Sequence, residues 1–182
     1  MKRKLLIGLA VVLALVVGFF LYATLVGNKR SPSQTIAFNQ GGLDLHVTYC
    51  RPFKKGRLIY GEKDAGELVP FGKYWRLGAN DATEITIGKK VSFAGKPVEA
   101  GRYRMYAIPG PKNWQVVLNS EVGKWGAFEA DHAKDFLTVE VPADAAPAET
   151  EQFTISLNGQ PPGAQLDFVW DKTAVHVPIA PL

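Results

Sequence analysis

Apolar and polar residues alternate with a period of two along most of the chain beyond residue 42, and this pattern predicts β-strands with one buried face. Leu43, Leu45, Val47 and Tyr49 alternate with Asp44, His46, Thr48 and Cys50. Ile85 and Ile87 alternate with Glu84 and Thr86, and Tyr103, Met105 and Ala107 with Arg102, Arg104 and Tyr106. Trp114, Val116 and Leu118 follow a turn signalled by Pro109, Gly110 and Pro111. The pattern returns at Leu137, Val139 and Val141, at Phe153, Ile155 and Leu157, at Leu166, Phe168 and Trp170, and at Val175, Val177 and Ile179. Short, evenly spaced strands separated by Gly and Pro predict an all-β domain, an antiparallel β-sandwich of jelly-roll-like or Greek-key type. In this reading Lys89, Lys90, Arg102 and Arg104 lie on solvated strand faces. Residues 124–135 admit one or two helical turns. Residues 142–151, rich in Pro, Ala and acid, read as an exposed, mobile connection.

The N-terminal segment follows another pattern. Residues 5–26, from Leu5 to Val26, carry no charge. A helix of that length reaches about 33 Å at 1.5 Å per residue, enough to cross a hydrocarbon core of about 30 Å. It exceeds the apolar region of a secretory signal, about 7–15 residues, and Leu21 spoils the small-residue pattern needed for cleavage after Ala23. The expectation is an uncleaved transmembrane anchor whose partner is the lipid bilayer. Lys2, Arg3 and Lys4 precede the run, whereas only Lys29 and Arg30 follow it, which points the N-terminus to the cytoplasm. The chain then divides into a cytoplasmic tail (1–4), an anchor (5–26), a linker (27–34) and an extracytoplasmic β domain (35–182), periplasmic at a bacterial inner membrane.

Charge changes the picture once its location is considered. The net charge of +4 comes from 21 basic and 17 acidic residues, and five of the basic ones flank the apolar run. Removing those five leaves 16 against 17, so residues 31–182 carry −1. A basic nucleic-acid surface is therefore not expected. Cys50 is the only cysteine, which excludes an intramolecular disulfide, and it reads as a small buried strand residue. His46, His132 and His176 lack metal-ligand spacing, and no nucleophile elbow, phosphate-cradling loop or dinucleotide fingerprint is present. No cofactor, no metal and no catalytic residue is assigned.

One segment concentrates chemistry. Arg51, Lys54, Lys55 and Arg57 put four cations into seven positions, and Trp75-Arg76 and Asn80 follow after a loop. Guanidinium groups beside aromatic rings stack and still present planar donor forks to a carboxylate, a phosphate or sugar hydroxyls. Arg51, Lys55, Arg57, Tyr60, Trp75, Arg76 and Asn80 are therefore the candidate ligand-binding residues, for an anionic or glycan-like ligand. The alternative is structural: arginines in sandwiches often pin strand crossovers through loop carbonyls, and Asn80 suits a turn.

The same segment carries a resemblance. The run from Tyr49 to Gly61, with Arg51-Pro52, Lys55-Gly56-Arg57 and Ile59-Tyr60-Gly61, resembles a bacterial family of exported domains of unknown function. Leu68-Val69-Pro70-Phe71-Gly72 and Trp75-Arg76-Leu77-Gly78-Ala79-Asn80 extend it, as do Ala100-Gly101, Tyr103, Ile108-Pro109, Trp114, Trp125-Gly126 and Trp170. Tyr60, Phe71 and Leu77 depart from the usual phenylalanine, tyrosine and threonine at those places, and Leu77 removes a hydroxyl that a polar ligand would meet. The resemblance implies an extracytoplasmic β domain and brings no activity with it. The expected function is a membrane-tethered binding or interaction module. The alternatives are a small envelope hydrolase, which needs two carboxylates in a cleft, and a structural subunit of an envelope assembly, which needs an exposed apolar patch.

Overall fold

The computed structural model describes residues 2–182, and within its N-terminal helix the side chains at positions 4, 7–22 and 30. Helix α1 (Lys2–Arg30) leads into strands β1 (Ser33–Phe38), β2 (Leu45–Cys50), β3 (Tyr60–Gly61), β4 (Val69–Pro70), β5 (Thr83–Ile87) and β6 (Val91–Phe93). There follow β7 (Lys96–Val98), β8 (Gly101–Ile108), β9 (Asn113–Asn119), β10 (Asp135–Gln160) and β11 (Gly163–Pro181). Nine strands join in the order β1-β2-β5-β8-β9-β10-β11-β6-β7, all neighbours antiparallel, and β3 and β4 form a separate short parallel pair.

β10 turns one sheet into two layers. Its first part pairs with β9 as far as Pro142↔Asn113, and from Ala143 onward it pairs with β11 instead. Pro142 sits at the change of partner, where its missing N–H costs no ladder bond. The layers meet face to face. Val47, Ile85, Met105, Val116 and Leu118 from one pack with Ile155, Phe168, Val177 and Ile179 from the other in a single core. The Tyr49 hydroxyl crosses between them, accepting the Ile155 N–H at 2.9 Å and donating to the Ile155 carbonyl at 3.1 Å. The protein is thus mostly antiparallel β-sheet with one α-helix, and a sandwich-like arrangement fits it.

One expectation needs correction. Residues 142–151 are not a mobile connection: they lie inside β10, with Ala143, Asp144, Ala145 and Thr150 paired to Val175, Ala174, Thr173 and Asp171. Residues 124–135 supply one helical turn, of 3-10 type, at His132–Lys134, whose N-cap Asp131 accepts from the Ala133 N–H at 3.1 Å. Among the described residues no helix is long and apolar enough to cross a membrane. Positions 5, 6 and 23–26 of the apolar run lie outside the described side chains. The remaining uncharged stretch, 7–22, amounts to about 24 Å of helix.

Candidate functional site

The cationic segment begins where β2 ends. Arg51 donates its N–H to Pro32 O at 2.9 Å, and its guanidinium reaches the Phe153 carbonyl at 3.4 Å and Thr154 Oγ1 at 3.1 Å. The chain then runs beside β10, with Phe153 N bonded to Pro52 O at 2.9 Å and Lys54 N to Glu151 O at 2.7 Å. Lys54 Nζ lies between Glu149 at 2.5 Å and Asp171 at 2.6 Å, and both carboxylates raise its pKa. Lys55 (φ 51°) and Gly56 (φ 68°) take left-handed conformations, and the turn closes with Arg57 N on Lys54 O at 3.1 Å. The Arg57 side chain folds back on this turn, donating from Nε to Lys54 O at 2.9 Å and from Nη2 to Phe53 O at 2.5 Å. Its plane is fixed while the residue stays exposed.

The opposite wall is the turn after Trp75. Trp75 exchanges both backbone hydrogen bonds with Ala107, at 2.8 and 2.9 Å, and only 6% of the residue is exposed. Its ring stacks on Trp170 at 5.9 Å and meets Tyr60, Trp114 and Phe153 edge-on. Burial there places Arg76 at the edge of the core. Leu77 and Asn80 adopt left-handed φ of 52° and 55°, and Gly78 between them has φ 143°. A Cβ on Gly78 would sit 2.5 Å from the Cys50 carbonyl oxygen, so only glycine lets this turn lie against the end of β2. Gly126 closes the turn by donating to Asn80 O at 3.0 Å, and a Cβ there would come within 2.8 Å of Arg76 Cδ. The Arg76 stem is therefore clamped by the 125–128 loop, whose Trp125 and Phe128 form an edge-on pair at 5.8 Å.

Between these walls lies a cleft of about 490 Å³ lined by Lys55, Arg57 and Arg76, with Arg30 and Ser31 at one side and Pro52, Phe53, Leu68, Val69 and Trp75 among the apolar contacts. No Asp or Glu lines it, and none of Lys55, Arg57 and Arg76 forms an ion pair with a described residue. Of the seven residues expected from the sequence, the cleft gathers Lys55, Arg57, Trp75 and Arg76. The other three lie elsewhere. Arg51 is held by β10, and the Asn80 amide points at the Ser31 carbonyl, 3.4 Å away. The Tyr60 ring packs against Trp75, Trp114 and Trp170, and burial pushes its hydroxyl pKa well up.

A second arginine lies buried on a strand face expected to be solvated. Arg104, on the face of β8 away from the main core, is 1% exposed. Its Nη2 donates to the Tyr74 hydroxyl and to the Phe128 carbonyl at 2.5 Å, its Nη1 lies 3.7 Å from Glu121 Oε2, and its Nε finds no partner. The 120–134 loop covers this face. Glu84, directly across from Arg104, pairs with Arg102 and accepts the Gly123 N–H at 2.5 Å. Tyr106 donates to Asp135 Oδ2 at 2.7 Å and lies 2.9 Å from His132 Nδ1. Burial and the neighbouring Asp135 carboxylate push the Tyr106 pKa far up. Glu129 and Asp135, each 3.1 Å from the ring, raise that of His132. Among the described residues no group of three or more His, Cys, Asp or Glu side chains is placed to hold a metal ion.

A family model described as "Protein of unknown function (DUF2911)" matches residues 31–179. No curated protein and no solved structure matches the chain.

Proposed function

The chain belongs to this family of unknown function through residues 31–179, and from that premise we propose that its β domain is a binding module for an anionic ligand, held outside the cytoplasm by its N-terminal helix. The observation that carries the binding claim is the cleft lined by Arg30, Lys55, Arg57 and Arg76, four cations with no carboxylate among the lining residues. Guanidinium forks already oriented by Lys54 O, Phe53 O and Gly126 meet a carboxylate or phosphate with little ordering left to do. A glycan that carries such a group fits the same chemistry, with Phe53 offering ring surface. A hydrolase built on two carboxylates has no such groups among the lining residues. The tether rests on the uncharged run of residues 5–26 and its three leading against two trailing cations. The family resemblance supports a bacterial inner membrane with the domain in the periplasm.

Calorimetric titration of the detergent-solubilised full chain with inorganic phosphate, glucuronate and glucose tests the binding claim. Phosphate and glucuronate should bind, glucose should not, and Arg76→Gln should weaken both anions at least ten-fold. Absence of binding by either anion contradicts the proposal. A reporter fused after Leu182 should be active only outside the cytoplasm, and cytoplasmic activity contradicts the tether's orientation.

A further inference from the structure

We infer that the anion taken by the cleft is the phosphate of an anionic phospholipid in the same membrane, so that the cleft face of the domain docks on the outer leaflet. This rests on the cationic-cleft and tether readings above, and three observations carry it further.

The chain enters the domain through the wall of the cleft. Arg30 and Ser31 line it, and the exit point is pinned to the β domain: Arg51 N bonds Pro32 O at 2.9 Å and the Asn80 amide reaches Ser31 O at 3.4 Å. Val26, the last residue of the apolar run, precedes Ser31 by five positions. Those positions reach about 8 Å if helical and at most about 18 Å if extended. The headgroup layer is itself roughly 5–8 Å deep on each side of the hydrocarbon. A tether this short holds the cleft beside headgroup phosphates, the most concentrated anions available to it.

The rim of the cleft is apolar where a soluble domain would be polar. Six large apolar side chains outside α1 are exposed among the described residues: Leu58, Leu68, Trp125, Phe128, Phe136 and Leu182. Leu68 lines the cleft, and Leu58 bonds it through the backbone at 3.0 Å. Trp125 and Phe128, 56% and 69% exposed, flank the glycine that clamps Arg76. Four of the six therefore lie in the cleft wall or on segments that touch it. Aromatic and leucine side chains beside Lys and Arg are the composition of surfaces that sit at the boundary between headgroups and acyl chains.

Charge agrees with this placement. Residues 31–182 carry −1 overall, so attraction to an anionic leaflet must come from a local patch. Asp81, bridged to Trp125 through the backbone, and Glu129, next to Phe128 in sequence, do not line the cleft.

Fluorescence quenching of the full chain tests the docking. The protein is reconstituted into vesicles of phosphatidylcholine, with or without phosphatidylglycerol, that contain lipids brominated just below the headgroup. Trp75, Trp114 and Trp170 are buried, so quenching reports on Trp125, and Trp125→Phe should remove it. Quenching should be stronger with phosphatidylglycerol and should fall as salt is raised. Arg57→Gln combined with Arg76→Gln should raise the phosphatidylglycerol fraction needed for half-maximal quenching by roughly five-fold per guanidinium removed. If that double variant unfolds, Lys55→Gln, which changes an exposed side chain, should show the single-cation effect. Equal quenching in both vesicle types overturns the inference. Titration of the detergent-solubilised chain with glycerol phosphate separates the two claims. Binding there without a phosphatidylglycerol effect leaves the cationic cleft standing and removes the headgroup. No response in either arm removes both.

Discussion

Arg76 and Arg104 have similar neighbours and opposite circumstances. Each lies near an aromatic ring and beside the same 120–134 loop, Arg76 touching it at Gly126 and Arg104 at Phe128. Arg104 is sealed beneath the loop, and its charge is met by the Tyr74 hydroxyl, a carbonyl and the Glu121 carboxylate. The Tyr74 ring adds a cation–π contact at 5.6 Å. Arg76 keeps only its stem covered and turns its charge toward a cleft without acids. A guanidinium in low dielectric must be satisfied inside the fold, whereas one at a solvent-open wall can leave its donors for something else. The same residue type therefore serves as a structural pin in one place and as a vacant donor in the other.

The contrast breaks first at Arg104. Arg104→Ala should lose roughly 3–5 kcal/mol, because it empties a buried site and leaves the Tyr74 hydroxyl and the Phe128 carbonyl without their donor, while Glu121 keeps Lys134 at 3.2 Å. Urea unfolding reads this directly, and a loss below about 1 kcal/mol would place Arg104 with the open arginines. Tyr106→Phe should cost about 1–2 kcal/mol by the same measurement, since it removes the bond to Asp135 and leaves that acceptor half-buried. The pH dependence of the loop is smaller. His132 has a raised pKa in the folded state, so its contribution is complete below its unfolded value of about 6.5 and is lost as pH rises through the folded one. Half of its side chain is exposed, so screening limits this to a few tenths of a kcal/mol, visible as a small fall in Tm between mildly acidic and neutral pH that is absent in His132→Gln. The smallest effect belongs to the open site, where Lys55→Ala should stay within about 0.5 kcal/mol of the parent.

The strands and their buried faces were legible because alternation is a local property: Val47, Ile85, Met105, Val116, Phe168 and Val177 all point where their period placed them. Arg104 followed that period too and was assigned to water. What covers it is the 120–134 loop, a long-range contact with no local trace. Residues 142–151 failed for the reverse reason. Pro142, Pro147 and a run of alanines look like a linker, yet a strand tolerates proline where it changes partner, and Pro142 occupies that position. At the site, the density of cations between residues 51 and 57 was visible, but pairing was not. Arg51 and Lys54 are occupied within the fold while Lys55 and Arg57 remain open. The exposure of Trp125 and Phe128 had one available signal, an aromatic pair in a glycine-containing loop between strands.

The most direct measurement is the urea midpoint of the full chain with and without inorganic phosphate, for the parent and for Arg57→Ala combined with Arg76→Ala. Ligand that binds only the folded state stabilises it by RT ln(1 + [L]/Kd). The expected result is a phosphate-dependent rise in the parent, and a double variant about 1 kcal/mol less stable at most that no longer responds to phosphate. A double variant that loses more than about 3 kcal/mol, with a parent indifferent to phosphate, would contradict it and make these arginines pins like Arg104.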